Sequence, residues 1–234
     1  MLRKGIITVI LIGFAVMLLQ LFLSFNGNED LNTTALHYAE NGIEEVGAAN
    51  LVTSVVVTYR GLDTLGEVTI LFLTAAIIGL FLKLTREEKS EKREVRPTSE
   101  ILQTAMKVLV PVIFLFGIYV FINGHLTPGG GFQGGAIIAS GILLMFLADP
   151  NRKISHGLIA VIESISGISF VIIGILGIVL AGGFLDNHIL PLGKFGTLLS
   201  AGAVPLIYIF VGLKVGSELS NIIYYLNQTQ KEKK

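Results

Sequence analysis

Six apolar stretches, at 6–25, 68–84, 101–122, 134–148, 154–181 and 196–215, dominate this chain of 234 residues. A helix needs about 20 mostly apolar residues to cross the hydrocarbon core of a bilayer. The pattern therefore predicts an all-α integral membrane protein with six transmembrane helices. The fourth stretch is short, but the glycine-rich run before it can enter the membrane ahead of the helix. The first follows Arg3 and Lys4 and has the flavour of a secretory signal. Its apolar core exceeds the ~7–15 residues of a signal, and no small-x-small cleavage site follows, so it reads as a retained anchor. Composition agrees: 52% of residues are hydrophobic and 15% charged, against about 25% charged in soluble domains. Cysteine is absent, which excludes disulfides, thiolate metal sites, iron–sulfur clusters and a cysteine nucleophile.

The charges set an orientation. Arg3 and Lys4 precede the first span, and Lys83, Arg86, Lys89, Lys92, Arg93 and Arg96 fill the connection between the second and third. Arg152 and Lys153 separate the fourth and fifth spans, and Lys231, Lys233 and Lys234 end the chain. The opposite connections hold only Arg60 and Lys194. Basic residues favour the cytoplasmic side, so both termini are expected there, in agreement with an even number of spans. Formal net charge is zero, and no nucleic-acid partner is expected.

The mixed-charge segment 85–99, with Pro97 near its end, reads as a cytoplasmic linker. It divides a two-span unit (1–84) from a four-span unit (100–226), with a cytoplasmic tail at 227–234. Residues 26–45 form an acidic external loop. The apolar segment 46–59 is too short to cross and is expected as an external helix at the bilayer edge; a seventh span there would turn the basic linker outward. Ala160, Ser164, Gly167, Gly174, Gly177 and Ala181 recur at helical spacing in the fifth span, and Ser200, Ala201, Gly202, Ala203, Gly212, Gly216 and Ser217 lie in and after the sixth. Small residues let membrane helices approach closely, either within one bundle or against a larger complex.

Lys107 and Glu163 each lie about 11–14 Å from the cytoplasmic ends of their helices, at ~1.5 Å per residue. Intramembrane charges are costly and point to function. Lys107 can alternatively snorkel to the headgroups; the shorter Glu163 does so poorly. The matched depths predict that the two face one interior, paired directly or through water or a neighbouring protein's side chain. Pro111 cannot donate to the Lys107 carbonyl, which suits a wet, protein-lined path. Arg60, Asp63, Thr64 and Glu67 are dense in charge at the mouth of the second span. A capping box of Thr64 with Glu67 and an Arg60–Asp63 ion pair account for them structurally; an ion-path role for Asp63 and Glu67 is the alternative. In the run 123–135, Pro128 stops a helix and Gly129, Gly130 and Gly131 permit positive φ. A tight turn is expected there, with the fourth helix starting near Gly134. The run lacks the lysine and hydroxyl of a phosphate-binding loop. His37, His125, His156 and His188 are scattered, so neither a metal nor a catalytic triad is expected.

The stretch HLTPGGGFQGG (125–135, including Gln133), Glu163, and FLDNHILPLGKFGTLLSAGAVPLIYIFVGLKVGSEL together resemble the MrpB component of Mrp-type multisubunit Na⁺/H⁺ antiporters over about 98–226. The flavour is that of versions built into membrane-bound hydrogenases and related ferredoxin-driven pumps. NLVTSVVVTYRGLDTLGEVTILFLTA resembles the C-terminal end of the MrpA component, or the small hydrogenase membrane protein homologous to it, over about 1–84. The resemblance implies a natural fusion of two adjacent components, without cofactor, among antiporter-like and small helical membrane subunits and possibly a hydrogenase-like peripheral arm. It implicates Asp63, Glu67 and Glu163 in the route of H⁺ or Na⁺. The MrpB component of free-standing antiporters often carries an acidic residue in its last span; LIYIFVGLKVG lacks it, which favours the redox branch and implies one proton carrier fewer. The expectation is a non-catalytic subunit of a cation/proton antiport module in the cytoplasmic membrane, with Asp63, Glu67, Lys107 and Glu163 as the ion path. A structural scaffold without an ion path, or part of a free-standing antiporter, are the alternatives.

Overall fold

The computed structural model describes residues 2–24, 31–87, 98–152 and 154–230. Among them the regular structure is helical: α1 (Leu2–Ser24), α2 (Thr33–Val46), α3 (Leu51–Thr53), α4 (Gly61–Glu87), α5 (Glu100–Ile122), α6 (Gly131–Ala148), α7 (His156–Leu180) and α8 (Val204–Gln230). A π-helical turn (Ser54–Tyr59) continues α3, and a 3₁₀ turn (Asn187–Ile189) interrupts the connection before α8. Among the described residues six helices are long and apolar enough to cross a membrane: α1, α4, α5, α6, α7 and α8. Most of the basic linker (88–97), and Lys153, Lys231, Lys233 and Lys234, lie outside the described residues.

The chain divides into two compact units, 1–37 and 38–234. In the first, α1 is apolar on all sides and exposed throughout, as at Val9, Phe14 and Phe22, the character of a helix surrounded by lipid or by other membrane helices.

In the second unit α8 is the central post. It packs against α4, α5, α6 and α7, and α5 also packs against α6. Buried Val204, Ile207, Tyr208, Val211 and Val215 of α8 share one core with Phe170 and Ile173 of α7, Val68 of α4, and Val46, Ala48 and Val57 before it. Glycines set the closeness of α6 and α8. A Cβ on Gly135 would stand 2.7 Å from the Gly212 carbonyl oxygen, and one on Gly131 2.6 Å from Val211. The small residues of α6 and α8 thus serve packing inside the chain.

Several boundaries differ from those expected. The last span begins at Val204, not 196, because 196–203 is a loop with positive φ at Gly196, Ala201 and Gly202. It then runs on to Gln230, since protein rather than lipid surrounds its polar second half. Helix α4 begins at Gly61, seven residues before the expected 68. Thr64 therefore lies inside its first turns rather than at a cap, and its hydroxyl donates to the Val56 carbonyl at 2.6 Å. Helix α6 begins at Gly131 rather than near Gly134. The segment 46–59 packs into the protein through buried Val46, Ala48, Thr53, Ser54 and Val57, while Leu51, Val52 and Val56 stay exposed.

The loop 123–130 closes one end of this unit. Gly129 and Gly130 have φ of 150°, and with ψ −173° Gly130 occupies a region open essentially to glycine alone. Asn50 donates its amide to the Gly124 and Thr127 carbonyls at 2.9 and 3.1 Å. The Thr53 hydroxyl donates to the Gly124 carbonyl at 2.7 Å and lies 2.9 Å from the Tyr208 hydroxyl. Asn187 similarly ties the last loop down, donating to the Val46 and Ala201 carbonyls. His125 is fully buried, with Nε2 3.3 Å from the Thr197 carbonyl oxygen, and burial pushes its imidazole below the ordinary value. At the opposite end Ser99 and Ser155 cap α5 and α7 by accepting from the Leu102 and Leu158 amides.

Candidate functional site

Helix α8 presents Lys214, Glu218, Asn221 and Tyr225, offsets of four, seven and eleven residues, which lie on one helical face. Helix α7 presents His156 and Glu163, seven apart, on another. Packing of α7 on α8 brings these faces together near mid-helix. Lys214 Nζ lies 2.7 Å from Glu218 Oε1 and 3.6 Å from Glu163 Oε1. The Asn221 amide donates to Glu163 Oε2 at 2.6 Å. Helix α4 supplies a wall, the Phe72 ring, whose centroid is 4.5 Å from the Lys214 nitrogen; a cation over a ring face is attracted to it. Gly167 leaves room for the lysine stem, since a Cβ there would be 3.3 Å from Lys214 Cε. Glu218 is 0% exposed, and Lys214 and Asn221 are each 8% exposed. The cluster lies about 15 Å along α8 from Val204 at 1.5 Å per residue, well inside the span.

The same two faces meet again one and two turns further along. The Tyr225 hydroxyl lies 3.4 Å from His156 Nε2, and Tyr224 stacks on the His156 ring with centroids 5.3 Å apart. Polar groups thus line the α7–α8 seam from mid-membrane to the N-terminal end of α7.

Of the residues singled out from sequence, Glu163 is at this centre, but its partner is not Lys107. Lys107 lies on an exposed face of α5, and α5 packs on α6 and α8 whereas Glu163 belongs to α7. Depth along each helix was matched; the bundle's order was not readable from it. The path suggested by Pro111 is likewise not protein-lined within this chain, because Pro111 is exposed as well. Asp63 pairs with Arg60 at 2.6 Å with both side chains exposed, and Glu67 is exposed. They sit about 8–14 Å along α4 from Phe72 at 1.5 Å per residue. Pro128 and Gln133 are exposed, while Gly130 and Gly131 are buried. Among the described residues no group of three or more histidines and carboxylates is placed to hold a metal.

Sequence reasoning missed Lys214, Glu218 and Asn221. Ending the last span at 215 left Glu218 and Asn221 outside it, and the last span does contain an acidic residue after all. The available signal was Lys214 and Glu218 four apart, the spacing of an ion pair on one helix face, directly after an apolar run.

Six membrane-length helices among the described residues define a multi-pass membrane protein. Residues 101–221 match the model of a domain related to the MnhB subunit of Na⁺/H⁺ antiporters, and the chain belongs to that family. Residues 2–105 match the MbhE family, a component of MBH. A chain in the structure of the membrane-bound sulfane sulfur reductase, an archaeal respiratory membrane complex, is 39% identical, with TM-score 0.81 over 97% of this chain and 98% of that one. A chain of the Mrp complex from Dietzia sp. DQ12-45-1b shares the fold, with TM-score 0.78 and 23% identity over 96% of this chain and 26% of that one. The B component of the Na⁺/H⁺ antiporter of Bacillus subtilis is 36% identical over 88 residues, 38% of this chain and 56% of that protein.

Proposed function

We propose that the protein is a non-catalytic membrane subunit of a cation/proton antiport module within a redox-driven ion-pumping complex, without a cofactor of its own. Both termini lie in the cytoplasm, in a cytoplasmic membrane, and the chain is a fusion of a unit like the end of MrpA (1–84) with an MrpB-like unit (100–226), joined by the linker 85–99. The observation that carries the ion-path reading is the Glu163–Lys214–Glu218 cluster in the span, with Lys214 and Glu218 buried and Glu163 half-buried. A scaffold has no use for two carboxylates and an ammonium there, since each desolvated charge costs several kcal/mol. Relatives in a respiratory membrane complex and in Na⁺/H⁺ antiporters support the redox and antiport parts. Asp63 and Glu67 form the outer approach to the centre along α4, and Lys107 faces a neighbouring antiporter-like or small helical subunit. The His156–Tyr225 contact opens the α7–α8 seam to the cytoplasmic side.

The test is Glu163→Gln in the intact complex, with Na⁺ and H⁺ movement measured in membrane vesicles and assembly followed by co-purification. Transport lost with assembly retained is the expected result. Normal transport, or loss of the complex altogether, is the behaviour of a scaffold.

A further inference from the structure

The charges of the central cluster do not balance. Glu163 and Glu218 face the single ammonium of Lys214, so the ionised set carries one negative charge. No other charged side chain described on the helices packed around it compensates for it. Helix α6 contains no titratable residue, while Lys107 on α5 and Asp63 and Glu67 on α4 lie on exposed faces. His156 on α7 sits beside Tyr225 at the far end of the seam, and α4 contributes the neutral Phe72 ring. An unmatched charge inside a membrane protein is expensive, so one positive charge is missing from the inventory.

The contacts of the carboxylate oxygens bear on what supplies it. Three of the four carboxylate oxygens face a nitrogen donor: Glu163 Oε1 and Glu218 Oε1 face Lys214, and Glu163 Oε2 accepts from Asn221. The fourth, Glu218 Oε2, faces none; neither Glu218 oxygen has a hydrogen-bond partner, Oε1 holding the lysine as an ion pair only, and Asn221 Oδ1 has none either. Both residues are more than nine-tenths buried. A sodium ion needs several oxygens to replace its hydration shell, and nitrogen donors already occupy three of the four here. A proton needs one oxygen.

We infer that the cluster binds one exchangeable proton, shared between the Glu163 and Glu218 carboxyls, and that Lys214 moves between the two to pair with whichever is ionised. This rests on the ion-path reading and names its carrier. Loading forms one O–H bond with a proton from the aqueous phase and takes the cluster from −1 to neutral; unloading breaks that bond and returns the proton to water. Lys214 stays an ammonium throughout. The ion-pair distances of 2.7 and 3.6 Å put both carboxylates within a small rotation of one flexible stem.

The experiment is infrared difference spectroscopy of the full chain in lipid nanodiscs at neutral pH. The carboxylic-acid band of the native chain is compared with that of Glu163→Gln and Glu218→Gln. Each variant leaves one ammonium and one carboxylate, neutral without a proton, so the native band is lost in both, a decrease of one acid group per chain. A native chain without the band, or a band that persists in both variants, overturns the inference. A native chain that lacks the band but melts higher in sodium chloride than in choline chloride holds sodium instead, and that also overturns it. The readout is independent of transport. Normal transport by an assembled Glu163→Gln complex would sink the ion-path reading while leaving the proton site intact.

Discussion

At the scale of single residues, the cluster's energetics follow from desolvation. Removing one partner of a buried ion pair costs on the order of 3–5 kcal/mol, because the other charge is left stranded, whereas removing both is far milder. Lys214→Met alone should therefore sharply lower the melting temperature of the chain in nanodiscs, and adding Glu163→Gln and Glu218→Gln should recover most of that loss without restoring transport. A triple variant as unstable as Lys214→Met would show that the lysine acts by packing instead. His125 gives a separate handle in the loop. Burial holds its imidazole below the usual value, so below about pH 6.5 the unfolded chain binds a proton that the folded chain resists. Stability is then full above that pH and falls as pH drops through it. Melting curves at pH 5.5 and 7.5 should differ by less in His125→Gln than in the native chain.

At the scale of elements, contact between α6 and α8 is limited by backbone, not by side chains that can turn aside. Gly135→Ala would place a Cβ 2.7 Å from the Gly212 carbonyl oxygen, and overpacking of this kind costs about 1–3 kcal/mol. Its melting temperature should fall, while Gly66→Ala, which meets no atom within 4 Å and gains helix propensity, should not lower it. The turn before α6 is constrained differently. Gly130→Val has to hold a β-branched residue at φ 150°, in a region L-residues rarely occupy. Assembly into the complex should drop, as read by the amount of chain recovered with its partners. Equal recovery would mean that the loop can adopt another path.

For the whole molecule, orientation rests on the basic residues, and the absence of cysteine makes the chain well suited to site-directed labelling. A cysteine at Asn123 should react with a membrane-impermeant maleimide on intact cells, and one at Ser90, which lies outside the described residues, should react only after the membrane is opened. Reaction at Ser90 from outside reverses the topology. The site also draws on both matched regions. Phe72 lies within the 2–105 match, and Glu163, Lys214 and Glu218 within the 101–221 match. The α4–α8 contact that walls the lysine thus lies between the two matched regions.

Segmental hydrophobicity is a local property, so the sequence alone determined the membrane class, the six helices of spanning length among the described residues, Glu163's place within one of them and the glycine turn ahead of α6. Each rests on residues adjacent in the chain or on one helical repeat. The tertiary structure decided who faces whom. Asn221 and Lys214 reach Glu163 across 58 and 51 positions, and nothing in either local sequence says that α8 rather than α5 lies beside α7. Burial decided the length of the last helix. Glu218, Ser220 and Asn221 read as the end of a span when judged against lipid. Enclosed by α4, α6 and α7, the same residues are the polar lining of its middle, because a polar group in a membrane is tolerated where protein, not hydrocarbon, surrounds it.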